Sequence, residues 1–172
     1  MIPNRTLYTH TGRKVRFYDD IVRGRVIALN LAFTRCQGFC PTGLSTMRQV
    51  QGLLGHAMGH DVRLYTLTLD PEHDTPSVLR EARRQYGAGP GWTFLTGSVD
   101  ACEDVRRGLG LYDPDPKIDA DRSQHSGLLV MGNDPLGRWS TVSLGLKPER
   151  IVQALDRVML PAERWNSEAW QS

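Results

Sequence analysis

The sequence predicts an α/β fold, a mixed β-sheet flanked by helices. A nearly unbroken apolar run of strand length over residues 26–33 leads directly into an amphipathic helical pattern, a second strand-and-helix pair follows, and a hairpin pattern closes the chain over residues 125–144. Strands joined through helices pair in parallel, and a late hairpin adds an antiparallel strand, so the sheet is expected to be mixed.

The elements follow in order. Residues 5–9 and 14–18 flank the turn-prone Thr11 and Gly12 and predict an added N-terminal β-hairpin. Residues 26–33 lack polar alternation, as a strand buried on both faces does. Leu44, Met47, Val50, Leu53, Leu54 and Ala57 recur every three or four residues, predicting a helix from Pro41 to about Met58 with proline in its first turn. Residues 62–69 form the next strand, ended by Asp70 and Pro71, and Thr75-Pro76 starts a helix through Leu79, Ala82 and Tyr86. Residues 92–95 give a short strand, and Ser98 caps a helix whose apolar stripe is Val99, Cys102, Val105 and Leu109. Residues 110–124, rich in Asp and Pro, read as a long functional loop. Residues 125–131 and 138–144 read as a hairpin, before a last helix carrying Ile151, Leu155 and Val158. This succession is the thioredoxin-like pattern, in one domain spanning residues 1–172 with a core of about 7–160 and a tail over 161–172.

Composition narrows the function classes. The 172 residues suit one domain with a substantial core, and 40% hydrophobic with 23% charged residues fit a soluble globular chain. Twenty-one basic against 19 acidic residues leave a charge of +2, too small and too mixed to favour nucleic acid as partner. No apolar run approaches the ~20 residues of a membrane-spanning helix. No leader pattern precedes residues 4–8, which fits either a cytosolic chain or one whose leader or anchor is absent from this sequence.

Three cysteines are too few for a disulfide scaffold, and Cys36 and Cys40, followed by Pro41, lie where a strand turns into a helix. Unpaired N–H groups and the positive dipole end favour a thiolate there. Two such sulfurs can close a disulfide or hold a soft metal. Three intervening residues, including flexible Gly38, are one more than the usual redox motif has and let both sulfurs turn toward one point. Of His10, His56, His60, His73 and His125, the last is the best placed as a third ligand, because it opens a predicted strand just after the long loop.

Several motifs together resemble the Sco/SenC family of copper proteins that help assemble cytochrome c oxidase. They are Phe33-Thr34-x-Cys36-x-x-x-Cys40-Pro41, Leu69-Asp70-Pro71-x-x-Asp74-Thr75-Pro76, Gly91-Trp92-x-Phe94-Leu95-Thr96-Gly97 and His125-Ser126, in order over residues 7–155. The resemblance implies that Cys36, Cys40 and His125 bind copper. It also implies an exported precursor, periplasmic or in an equivalent compartment, often anchored by an N-terminal helix. The expected partners are the copper-site subunit of cytochrome c oxidase or another copper chaperone. Two thiolates and one imidazole suit Cu(I), and with an added ligand or water Cu(II); zinc, which prefers four ligands, is the weaker rival. Many chains resembling this family carry an acidic residue before the histidine, where this one has Gln124.

Other residues carry weaker signals. Asp70 and Asp74 are expected to serve turn formation and helix-start electrostatics, with orientation of the cysteine loop as the lesser role. His56 and His60 are four apart, but Gly55 and Gly59 interrupt any helix there. Cys102 reads as a buried small hydrophobe, and the methionines sit at core-like or helix-end positions. The principal reading is a metallochaperone that delivers copper by ligand exchange between exposed cysteines. The alternative is a thiol–disulfide oxidoreductase in which Cys36 and Cys40 reduce a partner's cysteines before metal insertion. A thioredoxin-like peroxidase is set aside, since Phe33 replaces the threonine expected three residues before a peroxidatic cysteine.

Overall fold

A computed structural model describes residues 1–122 and 127–159. Seven strands, β1 (Thr6–Thr9), β2 (Lys14–Arg16), β3 (Val26–Ala32), β4 (Arg63–Thr68), β5 (Trp92–Gly97), β6 (Leu128–Asn133) and β7 (Arg138–Ser143), form one sheet in the order β2-β1-β5-β4-β3-β6-β7. Strands β3, β4 and β5 are parallel, whereas β1/β2, β1/β5, β3/β6 and β6/β7 are antiparallel. The expected mixed sheet and N-terminal hairpin are both present. Among the described residues the α-helices are α1 (Cys40–Leu54), α2 (Pro76–Gln85), α3 (Val99–Gly108), α4 (Pro116–Ala120) and α5 (Pro148–Met159).

Strand β3 shows how sequence builds the two layers. Ile27, Leu29 and Leu31 enter one core cluster together with Val105 of α3, whereas Ala28 and Ala32 enter the other with Met47 of α1 and Leu155 of α5. The small residues on this second face leave room for α1, whose N-terminal end carries Cys40. Asn30, on the same face, is buried, and its Oδ1 accepts from the Thr66 hydroxyl (2.7 Å), whose oxygen in turn accepts from Trp92 Nε1 (3.0 Å). A buried amide is tolerated where such a chain satisfies it.

Several boundaries differ from expectation for local reasons. Helix α1 stops at Leu54 because Gly55 takes a positive φ of 51°, so His56 falls in a separate short turn. Strand β2 ends at Arg16 because residues 17–22 form a π-helical turn, where Asn4 Oδ1 accepts from the N–H groups of Tyr18 (3.1 Å) and Asp19 (3.2 Å) and Phe17 is fully buried. The loop expected over residues 110–124 contains α4, started by Asp115, whose side chain accepts from Lys117 N–H, and by Pro116 in the first turn. Strand β6 starts at Leu128, and residues 125 and 126 of the anticipated strand lie outside the described residues.

Helix α4 is bound to α3 by a buried ion pair. Arg106, 4% exposed, donates to both oxygens of Asp119 (2.7 and 2.8 Å), to both oxygens of Glu103 (2.6 and 3.0 Å) and to the Leu111 carbonyl (2.9 Å). Asp119 also accepts from Arg107 Nη2 (2.7 Å) and Asp113 N–H (2.9 Å). The Arg106 guanidinium, then the Asp113 N–H and Arg107, outweigh burial and hold the Asp119 carboxyl well below the usual carboxylate range. A carboxyl depressed in the folded state stabilises fully above its unfolded pKa and loses that contribution as pH falls through the folded value. Urea unfolding should therefore show a loss of stability below about pH 4 that is smaller in Asp119→Asn. An equal loss in the variant would contradict the assignment.

Candidate metal centre

The two cysteines stand at the C-terminal end of β3, where the chain crosses into α1. After Ala32, the Cys36 N–H donates to the Phe33 carbonyl (3.1 Å), closing a turn. Cys40 opens α1, and the Gly43 N–H donates to the Phe39 carbonyl (2.9 Å). Phe39, the residue before the helix, offers no side-chain acceptor to its start.

Both cysteines, reduced thiols here, line one small cavity of about 30 Å³ with Phe33, Leu79, Tyr86 and Phe94. Burial, then the neighbouring Cys40 and Cys36 sulfurs, push the Tyr86 hydroxyl's pKa up, as expected of a phenol turned toward the pair. The expectation of exposed cysteines is not met: Cys36 is 8% and Cys40 2% exposed. Phe33 lines the same cavity, and both it and Phe39 are partly buried against the core cluster that contains the two cysteines.

The segment leading to Cys36 is fixed by carboxylates from the loop after β4. Asp74 is fully buried, and its Oδ2 accepts from Thr34 N–H (3.0 Å) and the Thr68 hydroxyl (2.7 Å), while Oδ1 accepts from the Thr34 hydroxyl. His73 Nδ1 lies 3.0 Å from the same Oδ1 and 3.3 Å from Thr34 Oγ1. Asp70 pairs with Arg35, whose Nε and Nη2 donate to Oδ2 (3.0 and 2.6 Å). The cap of α2 is Thr75, which accepts from Val78 N–H (3.4 Å). The carboxylates thus serve chiefly to orient the cysteine loop, the role expected to be lesser. The expected turn is present as well, with the Asp70 carbonyl accepting from His73 N–H (3.1 Å) and Asp74 N–H (2.8 Å), while the two side chains reach Thr34 and Arg35 just beyond the end of β3.

His125 lies outside the described residues, as do Gln124 and the tail with Trp165 and Trp170. Gly127, two positions after His125, is described: its carbonyl accepts from Leu144 N–H (2.8 Å), and a Cβ built on it would lie 3.9 Å from the Phe39 ring. The chain therefore re-emerges beside the loop that joins Cys36 to Cys40. Among the described residues, no three His, Cys, Asp or Glu side chains converge as a metal site, so the described part of the candidate set is the cysteine pair. His10 is engaged elsewhere, its Nδ1 accepting from Phe94 N–H (3.3 Å).

Cys102 lies in the other core cluster, and burial pushes its thiol up to about 12. Since the thiolate is the reactive form, Cys102 in the folded protein should resist a thiol reagent at about pH 8 and react only after unfolding. Labelling at the rate of an exposed thiol would contradict this.

The SCO1/SenC family model matches residues 3–160. The chain belongs to the SCO1/SenC family. A Stutzerimonas stutzeri relative, named for an inferred copper-binding role, is 34% identical over 145 residues, covering 83% of this chain and 70% of the relative. A SCO2-like protein of Rickettsia conorii is 28% identical over 121 residues, 66% of this chain and 57% of that one. Among solved structures, Bradyrhizobium japonicum ScoI with copper bound superposes with a TM-score of 0.71 at 24% identity, over 92% of this chain and 99% of that one. Yeast Sco1 with copper bound gives 0.70 at 17% identity, over 97% and 94%. These likenesses establish the Sco thioredoxin-like fold. No described helix of this SCO1/SenC chain is long and apolar enough to cross a membrane.

Proposed function

We propose that the chain is a copper metallochaperone that takes Cu(I) as cargo on the sulfurs of Cys36 and Cys40 and an imidazole nitrogen of His125. The observation that carries this reading is the pair of thiols lining one small pocket, with the chain two residues beyond His125 returning beside the loop between them. Family membership supports it, since a relative is named for copper binding and solved Sco structures hold copper. The donor chemistry fits: soft thiolates with one imidazole favour Cu(I), and an added ligand would accommodate Cu(II). The largely apolar lining favours a low-charge complex and limits access of water and oxidant. Transfer proceeds by ligand exchange, in which thiolates of the partner's binuclear copper site in cytochrome c oxidase replace Cys36 and Cys40 one at a time. The compartment that suits this partner is the periplasm or its equivalent, with the precursor anchored to the membrane.

Anaerobic titration of reduced protein with Cu(I) against a competing chelator tests the proposal. Tight uptake of one copper per chain, with two thiols protected from alkylation, is expected. Weak binding that protects no thiol would overturn it.

A second reading is favoured by the same shared pocket. Cys36 and Cys40 can close a disulfide, releasing two protons and passing two electrons to a disulfide of the partner, whose reduced cysteines then accept metal. Reduction of a partner disulfide with matching loss of both thiols, in the absence of copper, is its signature.

A further inference from the structure

Strands β3, β4 and β5 run parallel, so the ends of the chain that enter them lie together, on the far side of the sheet from the cysteines that follow β3. At that end a cleft of about 670 Å³ opens beside the β1–β2 hairpin. It is lined by Arg13 and Lys14 of the hairpin, Asp20 of the π-helical turn, Arg25 just before β3, and Arg63 and Tyr65 of β4. Strand β3 has seven residues, so about 20 Å of strand separates this cleft from the cysteine loop.

Four cations face one carboxylate here, and that carboxylate is already engaged, since Asp20 Oδ2 accepts from Arg16 N–H (2.6 Å). Arginines elsewhere, such as Arg35 and Arg84, pair with carboxylates. Among the described residues Arg13, Lys14, Arg25 and Arg63 form no such pair, and Arg25 Nη1 donates instead to the Asp20 carbonyl. Tyr65 is 6% exposed, and its hydroxyl makes no hydrogen bond with the described residues. Burial raises its pKa, and Arg25, Arg63 and Arg13, the charges that reach it, lower it. A buried phenol ordinarily has a partner, so this donor is suited to an acceptor brought in from outside.

The wall of the cleft is built by close backbone approach. Gly59 and Gly91, at φ of 80° and 89°, pack against each other, and a Cβ on Gly91 would lie 2.8 Å from the Gly59 nitrogen. Gly59 N–H donates to the Val62 carbonyl (2.8 Å), and the Gly91 carbonyl accepts from Leu64 N–H (2.9 Å), which ties both glycines to the start of β4. Cations gathered in a concave wall repel one another and focus their potential, so an anion among them gains attraction and relieves that repulsion. Guanidinium groups match phosphate oxygens in geometry, and the volume is that of a small-ligand cleft rather than of a single ion.

We propose that this cleft binds an anion carrying two or more phosphate groups, with Arg13, Lys14, Arg25 and Arg63 as cationic contacts and the Tyr65 hydroxyl as a donor. The site is separate from the cysteine pair and does not depend on the copper reading.

Isothermal titration calorimetry of the full chain with sodium tripolyphosphate tests it. One anion per chain is expected, with affinity falling as salt rises. Arg63→Gln should weaken binding at least about 10-fold and Tyr65→Phe at least about 3-fold, as loss of a charge-assisted and of a neutral hydrogen bond does. Arg150→Gln, the same charge change on α5 outside the cleft, should bind as the wild type does. Should Arg63→Gln not fold, Arg13→Gln, at an exposed position, should show the same weakening. No binding, wild-type affinity in the arginine variants of the cleft or in Tyr65→Phe, or equal weakening in Arg150→Gln would overturn the proposal. Co-sedimentation with phosphatidylcholine vesicles containing cardiolipin, a lipid with two phosphates in its headgroup, then identifies the source. Binding that tripolyphosphate competes away assigns a lipid headgroup to the cleft, and tripolyphosphate binding without vesicle binding assigns a soluble phosphate anion.

Discussion

Cys36→Ser should abolish tight Cu(I) uptake and disulfide formation together, whereas His125→Ala should separate them. Removing one of two sulfurs leaves a single thiolate, too few soft donors for a stable Cu(I) site and no second sulfur for a disulfide. Removing the imidazole leaves both thiolates in the pocket they share. Affinity in His125→Ala should fall more than about 100-fold, beyond the range seen for outer-shell partners, while the Cys36–Cys40 disulfide still forms and is still reduced. Chelator competition and thiol counting read the two consequences independently. Unchanged Cu(I) affinity in His125→Ala would remove that residue from the ligand set.

Asp74→Ala should be the most damaging substitution in the loop that faces the cysteines. The carboxylate is fully buried and accepts from the Thr34 N–H and from the Thr34 and Thr68 hydroxyls. Truncation leaves the buried Thr68 hydroxyl without this acceptor and releases the Thr34 N–H and hydroxyl, which water reaches because Thr34 is exposed, at a cost of about 2 kcal/mol in unfolding free energy, since an orphaned buried polar group costs roughly 1–3 kcal/mol. Asp74→Asn should cost less, because the amide oxygen still accepts and the hydroxyls can rotate to accept from its NH2 group. The same change loosens the turn that ends at Cys36, so Cu(I) affinity should fall in parallel. Urea denaturation monitored by tryptophan fluorescence checks the first effect. A loss below about 1 kcal/mol for Asp74→Ala would show that the carboxylate is not needed there.

Much of this architecture is legible from periodicity. Strand β3 and helix α1 follow from an apolar run and a three-to-four-residue stripe, and they alone place Cys36 and Cys40 at a strand-to-helix turn. What periodicity does not reveal is non-local polar pairing. Asp74 finds Thr34 forty positions away, and Arg106 finds Asp119 thirteen positions away. Carboxylates are ordinarily exposed, so nothing in composition marks these two as buried. Helix α4 is hidden for a related reason: an Asp- and Pro-rich segment reads as a loop, although Asp115-Pro116 is itself a helix-start pair. Tyr86 reads as part of an apolar stripe, and only the packing of α2 against the sheet brings its ring to the cysteines. The proposed ligand set, by contrast, rests on the joint resemblance of several short motifs, because no single spacing distinguishes a metal pair from a redox pair.

X-ray absorption at the copper edge of the Cu(I)-loaded, reduced protein tests the central claim most directly. Two sulfur scatterers and one nitrogen scatterer at bonding distance are expected, with the nitrogen contribution lost in His125→Ala. A site with no sulfur scatterers, or one whose spectrum is unchanged in Cys36→Ser, would contradict the account.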